Sequence, residues 1–275
     1  MARAVYDGTP MEEQFRLGHR VEDKSLLLLL TGEKVAVTTP NPNDSLLGIA
    51  AAFPNGRYIH FVGNKVGDGK IIRSNEVDPK LILSWLQACQ SHHNGMCRLP
   101  ALEEADRKMP SFRLIDVRNF CIVPASPISE YFTLSYVWGN IRTCVLLQSN
   151  KQELMGKGGL LTHWDRIPLT IRDAITLTEK LGKQYLWVDS LCLVQDDPQD
   201  LMSGIQRMDT IYEQSILTIV ATHGSDSTAG LPGVRPNSRN VSQITVEVSP
   251  RTKMVMYDEM DKLVKDSKYA TRAWT

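Results

Sequence analysis

The densest set of reactive side chains follows a short apolar run. Tyr185, Leu186, Trp187 and Val188 lead into Asp189, and Ser190, Cys192, Gln195, Asp196 and Asp197 come close behind. A carboxylate leaving a buried strand needs a partner, so Asp189 either faces a ligand or anchors a loop, and both readings stay open. Cys192 lies between two leucines, a setting that suits a small core residue better than a nucleophile. Asp197 stands before Pro198 and is expected to cap the next helix. A second group, Ser135, Tyr136, Trp138 and Gly139, ends another apolar run. Tyr136 and Trp138 share one side of an extended chain, where they either stack a flat ligand or fill the core. Gly139 permits a sharp turn or the close approach of a ligand. Arg172 and Asp173 open a predicted helix. Arg172 there holds a neighbouring loop or an anion, and Asp173 stabilises the helix terminus.

The elements that must position these groups alternate. Leu114 to Val123, Phe132 to Val137, Tyr185 to Val188 and Ile216 to Ala221 are strand candidates, rich in β-branched and aromatic residues. A helix from Thr170, capped by Thr170 itself, carries Ile171, Ala174, Ile175, Thr178 and Leu181 on one face and stops at Gly182. Another opens at Asp197-Pro198 and presents Leu201, Ile205, Met208 and Tyr212. Strands and helices in this alternation require crossover connections, which predicts an α/β fold with a parallel or mixed central sheet flanked by helices. Ligands of such sheets bind at the carboxyl edge, where Asp189 and Ser135 fall. Residues 1–110 read as a separate, small α+β region, with short strands at Val35 to Thr38 and Tyr58 to Val62 and a helix from Pro79 to about His92. Residues 111–275 form the α/β domain, and two further strands, Ile244 to Val248 and Met254 to Tyr257, come near its end.

Composition excludes several classes. Lysine plus arginine equals aspartate plus glutamate at 31 each, so no global field attracts nucleic acid. The longest aliphatic run, Leu26 to Leu30, falls far short of the roughly 20 residues that span a bilayer. The polar start carries Asp7, Glu12 and Glu13 and does not read as a signal peptide. Five scattered cysteines then point to reduced thiols in the cytoplasm, or in the nucleus. Cys89, His92, His93 and Cys97 crowd one helix end, too tight for two ligand pairs around zinc, so no metal is expected and the histidines read as cations at a helix C-terminus. Gly63 to Lys70 lacks the first glycine of a phosphate-binding loop, and Ile71 stands where Ser or Thr is needed.

The groups above fall into an ordered string: Tyr131-Phe-Thr-Leu-Ser135-Tyr136-Val-Trp138-Gly139, Ile167-Pro-Leu-Thr-Ile-Arg172-Asp173-Ala, and Tyr185-Leu-Trp187-Val-Asp189-Ser-Leu-Cys192-Leu-Val-Gln195-Asp196-Asp197. Arg207-Met208-Asp-Thr-Ile-Tyr212, Gly230-Leu231 and Arg272-Ala-Trp274 continue it. This string resembles the fungal HET domain, named for heterokaryon incompatibility, over about half of the chain. In that family the Arg-x-Trp motif of Arg272 and Trp274 runs on into a Gln-Glu pair. Here the sequence stops at Thr275, which suggests a truncated member or a fragment.

The resemblance implies a signalling or effector role in nonself recognition and programmed cell death, acting through a protein partner or self-association. It also implies a distant likeness to TIR domains, compact α/β sandwiches around a parallel sheet. If that likeness extends to activity, NAD is the candidate substrate and the reaction is cleavage of its nicotinamide–ribose bond. Such cleavage passes through an oxocarbenium-like state and needs a carboxylate beside the ribose. Asp189 is the candidate for that role, with Tyr136 and Trp138 as walls and Arg172 for the pyrophosphate. An inactive copy is the third reading.

Overall fold

Tyr131, Phe132, Thr133, Leu134 and Ser135 are all buried, a pattern that a strand reaches only when both of its faces are covered. In the computed structural model this strand is the centre of a mixed five-stranded sheet. The structure describes residues 2–3, 15–17, 28–30, 36–37, 51–52, 57–63, 69–92, 111–126, 128–239, 241, 243–250, 252–258, 264–265 and 267–271. The chain divides into two compact units, residues 1–74 with 240–266 and residues 75–239 with 267–275.

In the second unit the strands are β1 (Arg113–Asp116), β2 (Cys121–Pro124), β3 (Tyr131–Ser135), β4 (Tyr185–Trp187) and β5 (Leu217–Val220). Their order in the sheet is β5-β3-β4-β1-β2. β3 runs parallel to both neighbours, β4 and β5, while β1 is antiparallel to β4 and to β2. The helices are α1 (Pro79–His92), α2 (Lys151–Met155), α3 (Leu169–Lys180), α4 (Asp189–Cys192), α5 (Pro198–Gln206) and α6 (Met208–Glu213), with a 3-10 helix at Leu161–Arg166 between α2 and α3. The α/β expectation of a mixed sheet flanked by helices is met.

Leu114, Phe132, Leu134, Ile171, Ile175 and Leu186 are among the core residues without appreciable exposure. Each such side chain contributes about 1.5–3 kcal/mol by leaving water. α3 stops where glycine takes over: Gly182 has φ +74°, its N–H donates to the Glu179 carbonyl, and the Lys183 N–H reaches back to Thr178.

Three local expectations need correction. The strand expected over Leu114 to Val123 is a hairpin, because the Asp116 carboxylate gathers the N–H groups of Arg118 and Asn119 at 3.0 Å each and turns the chain. Thr170 does not cap α3. Pro168 occupies the cap position, and the Thr170 hydroxyl instead accepts the Gly230 N–H at 3.1 Å. The helix expected through Leu201 and Tyr212 breaks at Arg207 into α5 and α6.

The first unit holds a six-stranded antiparallel sheet in the order Ala2–Arg3, Ala36–Val37, Ala51–Ala52, Arg57–Phe61, Thr252–Asp258, Thr245–Ser249. The two strands expected near the end of the sequence are present, and they pair in this sheet. Phe15–Leu17 and Leu28–Leu30 form a separate hairpin.

Candidate functional site

Trp187 pairs with Thr133 across the parallel β3–β4 ladder, so Asp189 and Ser135 leave the same carboxyl edge. There the chain builds a corner around Tyr136, Trp138 and Asp189. Trp138 Nε1 donates to Asp189 Oδ2 at 2.9 Å, and the Ser190 N–H donates to Oδ1 at 2.7 Å. The indole lies nearly parallel to the Tyr136 ring, at 16° and 6.4 Å between centroids. The Tyr136 hydroxyl donates to Ser190 Oγ at 2.9 Å. Burial raises the Tyr136 pKa well above its ordinary value, and the neighbouring Asp189 charge raises it further, so this hydroxyl remains a donor. Gln195 Nε2 ties the backbone by donating to the Asp189 carbonyl at 3.1 Å and to Leu193 at 3.0 Å.

Both oxygens of Asp189 therefore accept hydrogen bonds, and two of its neighbours differ sharply in exposure. Tyr136 is 4% exposed and belongs to the core, whereas Trp138 is 40% exposed. The carboxylate holds the indole in place at the surface. Gly139 follows with φ +76°, and a Cβ there would stand 2.3 Å from Asp226 Cβ. The close approach anticipated at this glycine is thus made to the chain's own 223–229 loop. Ser227 Oγ secures that loop by donating to the Trp138 carbonyl at 2.9 Å.

The model of the family described as heterokaryon incompatibility protein (HET) matches residues 131–275, slightly more than half of the 275-residue chain. The chain belongs to the HET family. No curated protein and no solved structure matches it. The family match begins at the first residue of β3 and takes in the whole Trp138–Asp189 corner.

Other HET-motif residues lie away from the corner and hold the fold. Asp173 is buried; its carboxylate accepts the Leu231 N–H at 2.8 Å and Arg235 Nε at 3.0 Å. Gly230 is required beside it, because it has φ +77° and a Cβ would come within 2.7 Å of Asp173 Oδ2. Asp197 caps α5, accepting from Gln199 at 3.0 Å and Asp200 at 3.2 Å. Asp196 accepts the Gln148 N–H at 2.8 Å. Trp187 is fully buried, with Tyr212 edge-on to it at 5.7 Å. Burial pushes the Cys192 thiol up to about 12, which keeps it protonated and inert. Arg172 makes no side-chain hydrogen bond among the described residues, and its Nε is buried. Arg272 and Trp274 lie outside the described residues, as do His93 and Cys97 of the cysteine–histidine group.

Two features had no local signal in the sequence. Arg113 pairs with Asp200 in the interior and donates from Nε to the Cys192 carbonyl at 2.9 Å, and Asp200 also accepts the Val194 N–H at 2.7 Å. On the sheet face that carries Thr133 and Ser135, a cleft of about 430 Å³ opens beside α5 and α6. Tyr269 closes one side of it, with its hydroxyl 2.9 Å from Ser135 Oγ.

No helix among the described residues is long and apolar enough to cross a membrane.

Proposed function

We propose that this HET-family chain is a cytoplasmic effector of fungal nonself recognition. In this reading it drives growth arrest and cell death through a protein partner or a second copy of itself, and residues 1–110 regulate or dock. One observation carries the reading: the Trp138 indole is substantially exposed yet fixed from below by Tyr136 and from the side by Asp189. A large apolar side chain held in one orientation contributes binding energy without an ordering cost, and tryptophan is enriched among the residues that dominate protein interfaces. Expression of wild type and Asp189→Ala in a filamentous host tests it. Wild type arrests growth, and the variant at equal protein level does not; equal toxicity removes the corner from the effector role.

NAD cleavage is the second reading. It is favoured by the placement of a carboxylate, Asp189, beside an exposed indole at the carboxyl edge of a parallel ladder. Water would add to the ribose carbon as nicotinamide departs, with Asp189 stabilising the positive charge that develops there. Release of nicotinamide by purified wild type, absent in Asp189→Ala, supports this chemistry. Intact NAD in the presence of folded wild type removes it.

A further inference from the structure

The loop that carries Trp138 differs in charge from one end to the other. Past β3 the chain is exposed from Trp138 through Gly139, Asn140 and Ile141 to Arg142. It returns to the core at Cys144, whose N–H donates to the Arg166 carbonyl at 2.9 Å, and at Leu146, whose N–H donates to the Ser190 carbonyl at 2.9 Å. Ser227 Oγ holds the near end through the Trp138 carbonyl, so the exposed run is tied at both ends and forms a rim. Trp138 and Ile141 stand on this rim at 40% and 39% exposure. Single apolar residues at a surface need no explanation, but two within four positions, bordered by charges, have the make-up of a contact patch.

The borders carry opposite signs. Asp226 packs against Gly139, its Cβ 2.3 Å from where a glycine Cβ would stand. Asp226 Oδ1 accepts the Thr228 hydroxyl at 2.6 Å and the Thr228 N–H at 2.8 Å. These bonds lower its carboxyl pKa, so the group is an anion at neutral pH. At the far end Arg142 precedes by two residues the amide that bonds Arg166, which brings the two arginines close. Neither guanidinium makes an ion pair or a side-chain hydrogen bond among the described residues, and no cation pairs with Asp226 there. Asp165, next to Arg166, is exposed and also unpaired among those residues, which leaves the arginine end with an excess of positive charge. From Gly139 to Arg142 the chain spans at most about 11 Å, so both ends belong to one patch.

A strip that is negative at one end, apolar in the middle and positive at the other is its own complement when turned by 180°. A twofold axis through its centre lays Asp226 of one copy against Arg142 of the other, and the reverse pair forms by symmetry. The same rotation sets the two Trp138–Ile141 patches against each other, away from water. A uniformly acidic or basic partner would meet like charge at one end of the rim, which favours a second copy over either. We propose that the chain forms a twofold-symmetric dimer through the 138–142 rim, with Trp138 and Ile141 at its centre and reciprocal Asp226–Arg142 pairs at its borders. The proposal rests on the reading of the Trp138 corner as an interface and names a second copy as its partner.

Sedimentation velocity of the full chain and of charge-reversed variants provides the test. Wild type forms a concentration-dependent dimer, and its dissociation constant rises with added salt. Arg142→Glu and Asp226→Lys each set like charges against one another at two symmetric places, so each raises the dissociation constant by at least about tenfold. Mixed in equal amounts, the two variants associate again, because the heterodimer regains both opposite-charge pairs. Recovery on mixing separates a lost contact from a lost fold. Ile141→Asp, at the centre, also dissociates the dimer, and neither charge variant rescues it. Wild type that stays monomeric at its highest soluble concentration overturns the proposal. So does a mixture of the two variants, both folded by circular dichroism, that fails to associate, or a dimer that every variant leaves intact. Monomeric wild type whose growth arrest is still abolished by Trp138→Ala overturns the dimer and leaves the interface reading with another partner. A rim dimer whose arrest ignores Trp138 removes that reading and leaves the dimer.

Discussion

Asp200 and Asp189 belong to the same stretch after β4, yet they inhabit opposite environments. Asp200 sits in the interior against Arg113, with the Val194 N–H on the same oxygen that pairs with the arginine. Asp189 sits at the rim, where its two oxygens hold an exposed indole and the first turn of α4. The first arrangement joins β1 to α5 across the core and contributes to stability. The second orients a side chain that contributes little to the core. The stretch after β4 thus mixes a residue that makes the fold with one that presents a side chain at its rim, and burial separates the two.

The largest effect expected from this contrast is at the interior pair. Asp200→Ala leaves the Arg113 guanidinium buried without its carboxylate and costs about 3–5 kcal/mol by chemical denaturation. A loss below about 1 kcal/mol would erase the distinction between clamp and corner.

Gly139→Ala comes next. Its positive φ and the 2.3 Å approach to Asp226 Cβ predict a loss of about 1–3 kcal/mol, read from the same denaturation curves. A neutral outcome would show that the 223–229 loop does not press on this turn.

Asp116 adds a pH signature to the structural class. Burial pushes its carboxyl up, but hydrogen bonds from the Asn119 and Gln184 side chains and from the Asn119 and Arg118 N–H groups outweigh burial and lower it. With the folded pKa below the unfolded one, its contribution is fully present above about pH 4 and is lost as pH falls through the folded value. Asp116→Asn costs about 1–3 kcal/mol at pH 7, and the gap to wild type narrows below about pH 4. A gap independent of pH would contradict the assignment.

Trp138→Phe gives the smallest change in stability. It removes one hydrogen bond at a partly exposed site and keeps an aromatic ring on Tyr136, so the melting midpoint moves by the equivalent of about 1 kcal/mol or less. A larger shift would move Trp138 into the set of residues that hold the fold.

Periodicity and turn residues made much of this legible in advance. Apolar spacing located α3, Asp197-Pro198 marked the start of α5, and Gly182 marked a helix end. The order of strands and helices required parallel pairing, and β3 is flanked by parallel neighbours. Placement of Asp189 and Ser135 at one edge followed from the same reasoning. What local patterns could not supply was distance across the chain. Arg113 and Asp200 are 87 positions apart, and Ser135 and Tyr269 are 134 apart, so no window of sequence contains either pair. The hairpin at Asp116 was hidden for a different reason, since a single carboxylate gathering backbone N–H groups overrode a run with strand propensity.

The claim that the Trp138 corner acts on a partner while the fold stands without it is tested most directly by Trp138→Ala and Trp138→Phe. Growth arrest on expression in a filamentous host is compared with wild type at matched protein level, and the melting midpoints of the purified chains are measured alongside. The account predicts that Trp138→Ala abolishes arrest, that Trp138→Phe weakens it, and that the Trp138→Phe midpoint stays near that of wild type. Full arrest by a folded Trp138→Ala chain would contradict it.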